Sequence, residues 1–429
     1  MGVNKMINNN LSKNLNTLLE PYQKFGISLG LERIKNLLEK LGNPQNKVPI
    51  IHVAGTNGKG SVCAYLSSIL TQAGYKTGRY TSPHLVNWNE RICLNEQPIS
   101  TEKLRAIIKH ISTVIDSLPE CPTLFEVVTT AAWLYFAQSQ VDVAVMEVGL
   151  GGRLDATNVC DKNLASIIIS ISREHWQRLG NTLTEIATEK AGVMKSQCPV
   201  IVGNLPPEAI EVVKNRAKIL DCPSIWVESA QKIEKNSDNW AKYQDIEYPL
   251  PLAGDIQLQN SAISIATIKI LQQKGWHIKL EDIQEGMRKA KWRGRIEWVV
   301  WQGQKMLIDG AHNVAAAQVL RQYIDTLHKP IIWVMGMLST KDHQGIFEAL
   351  LRPQDQLHLV PVPDHSSTDT NFLSQVAQNV NPSLTKVNTY DDLFIALEKV
   401  SSIVDNEKEI IVLCGSLYLL GYFLQYFSP

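Results

Sequence analysis

The sequence predicts an α/β protein of two domains, a larger one built on a mainly parallel sheet and a smaller α/β one after it. Three observations carry this. Short β-rich apolar runs alternate with longer amphipathic ones along the first part of the chain, the pattern of a parallel sheet covered on both faces. The same alternation starts afresh after about residue 305. And the chain has 429 residues, beyond the roughly 250 to 300 at which a single core stops growing.

The elements follow in order. VPIIHVAG (48–55) reads as a strand and residues 59–74 as the helix after it; YKTGRYTS reads as a second strand. FEVVTTAAWLYFAQ (125–138) is apolar nearly all round, which predicts a buried helix, and it feeds a strand in VDVAVMEVG (141–149). LASIIISIS (164–172) and CPVIVG (198–203) are further strands. QKIEKNSDNWAKYQDIE (231–247) is polar and poorly periodic, a surface excursion of the large domain, and residues 260–274 return to helix. WRGRIEWVVWQGQ (292–304) is the seam, giving domains of 1–297 and 298–429. Beyond it come KMLIDGA (305–311), a helix to about 327, KPIIWVMGM (329–337), DQLHLVPV (355–362) and EIIVLCGS (409–416).

Lys+Arg and Asp+Glu both number 42, so no overall field favours nucleic acid or an anionic membrane. Seven scattered cysteines without a C-x-x-C pair argue against a disulfide framework or a structural zinc site. MGVNKMINNNLSKNLN lacks the apolar stretch of a leader, and no later run is long enough to span a bilayer. The expectation is a cytoplasmic protein.

VAGTNGKGSV (53–62) follows the first strand and opens the first helix. Backbone N–H groups at such a helix start face an anion and the helix dipole favours negative charge there. The spacing is irregular for a phosphate loop: two residues separate Gly55 from Gly58, and Gly60 stands where Ser or Thr usually follows the lysine. Lys59 is predicted to reach the outer phosphates of a nucleotide. Glycine-rich turns between strand and helix also arise without function, so the loop needs company.

That company stands at neighbouring strand ends. Glu147 closes VDVAVMEVG and precedes GLGGRLD; a carboxylate at this edge of an open parallel sheet suits Mg²⁺, the alternative being an ion pair with Arg153. His175 follows LASIIISIS, one strand over from Glu147, and Asn181 or Thr182 caps a helix carrying Glu189 and Lys190. Ser82, in the polar loop TSPHLVNWNERI (81–92), offers a hydroxyl for the metal. By itself Lys190 reads as a solvated helix residue.

Taken together, LGLERI (29–34), LGNPQ (41–45), VAGTNGKGS, TSPHLVNWNERI, EVGLGGRLDATN, HWQRLGNTLTEIATEKAG, WRGRIE, DGAHN (309–313), GMLSTKD (336–342) and CGSLYLLG (414–421) resemble the Mur ligase superfamily. Within it they resemble the dihydrofolate synthase / folylpolyglutamate synthase family, in family order over nearly the whole chain. The resemblance implies a P-loop-type N-terminal ATPase domain and a smaller Rossmann-like C-terminal domain. It implies an ATP-dependent ligase that adds L-glutamate to dihydropteroate, to tetrahydrofolates or to both, through an acyl phosphate, with Mg²⁺ as cofactor. A monofunctional enzyme, a muropeptide ligase and a nucleotide-dependent switch are the alternatives. No nucleic-acid or membrane partner is implied, and a monomer is expected.

Residue by residue, the resemblance assigns Gly55, Thr56, Asn57, Gly58, Lys59, Gly60 and Ser61 to ATP, with Asn260 and Arg295 from the large domain and Asp309 from the small one. It assigns Ser82, Glu147 and His175 to the metal and catalytic roles to Lys59, Lys190 and His312, with Lys190 able to carry a carbamate. The pterin side falls to Leu29, Gly30, Leu31, Phe125, Glu126, Arg153, Leu154 and Asp155. Three places depart from the family: Glu174 where Asp is usual, Ile256 where many members have histidine, and VPVPDHSSTD, which matches loosely.

Overall fold

The computed structural model describes residues 15–26, 28–235, 238–405 and 407–427. They form two compact units, the first running to Pro251 and resuming at Leu258–Lys291, the second comprising Leu252–Gln257 and the chain from Trp292 onward. The division falls at Lys291/Trp292, before the expected 297/298. Hydrogen bonds explain why: Gly310 N donates to Gly294 O over 2.9 Å and Ile296 N to Asp309 Oδ2 over 2.8 Å, so residues 294–296 are already part of the second unit. Arg295, expected from the large domain, therefore belongs to the smaller one.

In the first unit the described strands are β1 (Ile50–Ala54), β2 (Thr77–Tyr80), β3 (Ile92–Leu94), β4 (Gln97–Pro98), β5 (Val143–Glu147), β6 (Ala165–Ile168), β7 (Val200–Val202) and β8 (Ser224–Trp226). They lie in the order β4-β3-β2-β5-β1-β6-β7-β8. From β2 to β8 the pairing is parallel; β3 and β4 add an antiparallel edge. β1, β5, β6 and β7 are buried along their whole length, which is why they read as continuous apolar runs rather than alternating ones. Successive connections leave β1 in opposite directions, toward β2 on one side and, through β5, toward β6 on the other. Ligands of open parallel sheets gather outside the carboxyl ends at such a point.

The predicted helix after β1 spans Lys59–Gln72 and is buried on most of its surface. The helix expected at 125–138 spans Leu124–Ser139, its start fixed by a reciprocal Thr123–Glu126 capping box. The stretch 231–247, expected as a poorly periodic surface excursion, instead supplies most of a three-stranded antiparallel sheet of β9 (Gln231–Lys235), β10 (Asp238–Tyr243) and β11 (Ile246–Pro249). Its apolar face rests on few residues, Ala241 and Tyr248 among them, too short a pattern to show as alternation.

The second unit holds β12 (Glu297–Trp301), β13 (Gln304–Ile308), β14 (Ile331–Met335), β15 (Gln356–Leu359), β16 (Lys386–Thr389) and β17 (Ile410–Cys414). Their order is β12-β13-β17-β14-β15-β16, parallel except for the β12–β13 hairpin. Trp333, Phe347, Leu357 and Val412 centre its core. All seven cysteines are free thiols. Among the described residues no helix is long and apolar enough to cross a membrane.

Candidate active site

The glycine loop joins the end of β1 to the helix Lys59–Gln72, whose first turn contains no acidic side chain; the positive end of its dipole is therefore not offset from within the first turn and suits an anion. Gly58 caps this helix at φ 89°, and a Cβ there would come within 2.5 Å of Asn260 Oδ1. Glycine is thus required twice, for the backbone angle and for the space. The same approach shows that Asn260, some 200 positions later in sequence, lies against the loop. The loop is pinned to the chain leaving β6: Thr56 N donates to Ser170 O over 2.8 Å, Asn57 N to Ser170 Oγ over 3.1 Å, and Ser172 N to Thr56 Oγ1 over 3.0 Å. Gly60 and Ser61 continue into the helix, with Ser61 buried.

Two lysines meet at Gly55. Lys59 Nζ donates to Gly55 O and Thr56 O at 3.0 and 3.1 Å, and Lys190 Nζ donates to Gly55 O at 2.9 Å. Lys190, read from sequence alone as a solvated helix residue, is only 4% exposed. Burial, followed by the charge of Lys59, pushes its pKa down to about 7. Its helix, Leu183–Ala191, starts at Thr182, which was one of the two predicted caps.

Ser82 and Glu147 are brought together: Ser82 N donates to the buried Glu147 Oε2 over 3.1 Å. Glu147 is not the partner of Arg153, which pairs with Glu189 at 2.7 Å. His175 leaves β6 at φ 50° as the cap of a short helix, Trp176–Leu179, with its ring 4.0 Å from Glu174 and substantially exposed. It is not one strand over from Glu147: β1 lies between β5 and β6, because chain order and sheet order differ at the point where the connections reverse. Among the described residues no group of three or more His, Cys, Asp or Glu forms a metal cluster. The donors present, one carboxylate beside one serine at adjacent strand ends, nevertheless fit Mg²⁺, which is usually held by one or two carboxylates together with water and substrate phosphate.

The three segments expected on the pterin side are tied to one another. Gly30 N reaches Leu154 O at 3.5 Å. A Cβ on Gly149 would lie 2.4 Å from Phe125 Cζ, so that ring covers the start of the 149–157 loop. Arg33 joins the rest: it donates to Glu126 Oε2 (3.1 Å), Glu120 Oε1 (3.3 Å) and Ser28 O (2.8 Å). Leu29, Gly30 and Leu31 are half-buried, and Glu126 is 2% exposed. Asp155 turns inward; its oxygens accept from Leu150 N (2.8 Å) and from Thr157 N and Oγ1 (3.0 and 2.6 Å).

Arg33 was missed as a functional residue although it stands inside LGLERI, where an arginine in a first helical turn opposes the helix dipole and asks for an acidic partner. Glu90 was missed too. It accepts from Leu85 N, Val86 N and Asn87 N at 2.8, 3.0 and 2.7 Å and so shapes the loop that carries Ser82; Asn87-x-x-Glu90 was its capping signature.

In the second unit, Asp309 is buried and accepts from Ile296 N and Ala311 N at 2.8 and 2.7 Å. Burial raises its pKa, and Arg295, these amides and His312 work against that rise. Arg295 lies over Gly310, where a Cβ would be 2.2 Å from Nη1. His312 Nδ1 is 2.7 Å from Gly310 O, and Asn313 caps the helix Val314–Asp325. DGAHN is thus a strand end and a helix cap as well as a cluster of Arg295, Asp309 and His312.

Comparison with known proteins sets the class first. Residues 53–268 match the Mur ligase middle domain and residues 295–426 match the dihydrofolate synthetase C-terminal domain; the chain is an ATP-dependent ligase. It is 37% identical over 424 residues to the dihydrofolate synthetase of Saccharomyces cerevisiae, covering 93% of this chain and 98% of that one. It is 34% identical to the dihydrofolate synthase/folylpolyglutamate synthase of Bacillus subtilis, covering 93% and 95%. Mycobacterium tuberculosis folylpolyglutamate synthase, solved with ADP and AMPPCP, superposes with a TM-score of 0.88 at 28% identity over 98% of this chain and 99% of that one. E. coli FolC, solved with DHPP and ADP, gives 0.84 at 28% identity and 96% coverage of both. The chain belongs to the dihydrofolate synthase / folylpolyglutamate synthase family.

Proposed function

We propose that this ligase joins L-glutamate both to dihydropteroate, forming dihydrofolate, and to tetrahydrofolates, forming polyglutamates. The observation that supports it most is the meeting of Lys59 and Lys190 at the Gly55 carbonyl, one strand from Glu147, where the loop after β5 leads to the cross-tied segments assigned to the acceptor. A carboxylate is a poor electrophile. Transfer of the γ-phosphoryl group to the acceptor carboxylate makes an acyl phosphate, from which the amine of glutamate expels phosphate. Gly55 to Ser61 hold the nucleotide, and Lys59 offsets charge on the transferred group. When bound, Mg²⁺ would be held by Ser82, Glu147 and His175 and would neutralise phosphate charge. Leu29–Leu31, Phe125, Glu126 and the Arg153–Asp155 loop orient the acceptor; Asn260 joins the nucleotide groups of the first unit, and in the second unit Arg295 and Asp309 are assigned to ATP and His312 to catalysis.

Lys190 has the chemistry for a further role. The nitrogen lone pair of an unprotonated buried amine adds to the carbon of carbon dioxide, one C=O π bond opens to a carboxylate oxygen and a nitrogen proton is released to solvent; the carbamate so formed is an anion that suits a site beside a metal better than a second cation beside Lys59. The free thiols fit a reducing cytoplasm, and a monomer is the expected state.

A monofunctional dihydrofolate synthase is the second reading, favoured by the name of the Saccharomyces cerevisiae relative. ADP release measured separately with dihydropteroate and with tetrahydrofolate decides. Release is expected with either acceptor only when glutamate is present; activity on one acceptor alone excludes bifunctionality, and acceptor-independent turnover excludes the ligase reading. Glu147→Gln is expected to raise the Mg²⁺ concentration for half-activation about tenfold or more. An unchanged Mg²⁺ titration removes Glu147 from the metal set.

A further inference from the structure

We propose that His52 and Thr157 are positioning residues for the acceptor, holding the 149–157 loop in its working shape through a one-way hydrogen-bond chain from His52 to Thr157 to Asp155. This rests on the assignment of that loop to the acceptor side. His52 sits in β1, three residues before Gly55, and is wholly buried. Its Nε2 lies 2.8 Å from Thr157 Oγ1, and Thr157 Oγ1 lies 2.6 Å from Asp155 Oδ1.

The direction of the chain follows from counting protons. Asp155 Oδ1 also accepts Thr157 N–H, and Oδ2 accepts Leu150 N–H; burial pushes the Asp155 pKa up and these donors work against that rise, and since both oxygens already face N–H donors the carboxylate is the form that satisfies them all. A carboxylate only accepts, hence the single Thr157 hydroxyl proton goes to Asp155. The Thr157 oxygen must then accept, which places the imidazole proton on His52 Nε2. His52 Nδ1 is buried without a hydrogen-bond partner among the described residues. As a bare lone pair that is tolerable; the other tautomer would bury an unanswered N–H and set two lone pairs against each other.

Stability alone does not call for this arrangement. A branched aliphatic side chain in the middle of a buried parallel strand would avoid the cost of burying an imidazole. What the chain secures is Asp155. With both oxygens committed inward, Asp155 knots the loop at Leu150 and Thr157, and its backbone N–H reaches Gly152 O at 3.2 Å. Leu154 O is then presented to Gly30 N in the 28–31 segment, and Arg153 beside it is held against Glu189 by its backbone N–H and its guanidinium. One strand, β1, thereby sets both the nucleotide loop at its end and the acceptor loop at its side.

Thr157→Val, which keeps the branched shape and removes the hydroxyl, tests this in the whole protein. The expected result is a KM for dihydropteroate raised about tenfold, with the KM for ATP changed less than about twofold, and recovery in Thr157→Ser. An unchanged acceptor KM in Thr157→Val, or equal rises for acceptor and ATP, overturns the proposal while wild-type turnover still supports the ligase reading. Wild-type inactivity on both acceptors overturns that reading and the acceptor role with it. Nitrogen-15 NMR of histidine-labelled wild-type protein needs no variant to fold: protonation of His52 at Nε2 is expected, and a proton on Nδ1 overturns the chain.

Discussion

Lys59→Ala is expected to lower the rate of ligation by about 10³-fold or more, the scale on which a single charge-stabilising donor is lost from a transition state. The folded protein should survive. Lys59 is a half-buried residue at the helix start, its amine bonded to the carbonyls of Gly55 and Thr56, and the loop retains its ties to Ser170 and Ser172. Such a site contributes little to the core, so unfolding stability should move by no more than about 1 kcal/mol. Acceptor-dependent ADP release and a thermal melt on the same preparation check both halves. Retained turnover removes the assigned role. Lost turnover with a collapsed melting transition makes Lys59 a structural residue instead. The substitution also removes a positive charge that depresses Lys190, so the Lys190 pKa should rise in this variant.

Much of this layout was legible because local chemistry dictated it. VPIIHV and VDVAVM had to be buried strands, GTNGKGS had to turn without side chains in the way, and Thr182 had the acceptor oxygen that a helix start requires. Side-chain direction was less legible. Asp155 stood in the sequence as an acid in a ligand loop, yet its oxygens close its own turn; only the return of the chain past β1 decides that. Arg33 and Glu126 are 93 positions apart, and no local rule pairs them. Chain order puts His175 one strand over from Glu147, but in the sheet β1 lies between their strands. The seam was placed a few residues late because Gly294 and Ile296 are fixed by bonds to Gly310 and Asp309, partners that a linear pattern cannot display.

Lys190 makes stability depend on pH in the direction opposite to a lysine that gains a partner. Its folded pKa is about 7 against an ordinary 10.5, so between those values the unfolded chain binds a proton that the folded chain has shed. Stability therefore rises with pH across that window, and below about pH 7 both states are protonated and the slope from this group disappears. Urea unfolding of nucleotide-free, metal-free protein from pH 6 to 10 should show this rise, a few kcal/mol in all at about 1.4 per pKa unit. Lys190→Met should flatten it and be the more stable protein at pH 6, since an apolar side chain of similar length carries no charge to bury. The same variant should lose ligation by orders of magnitude, because Gly55 and the nucleotide loop keep their shape while the reactive amine is gone. Greater stability at low pH together with lost activity is the signature of a group retained for chemistry at a cost to the fold. A Lys190→Met protein with wild-type pH dependence would show that the amine is charged in the folded state throughout, and that Lys190 does not supply an unprotonated amine at the Gly55 carbonyl.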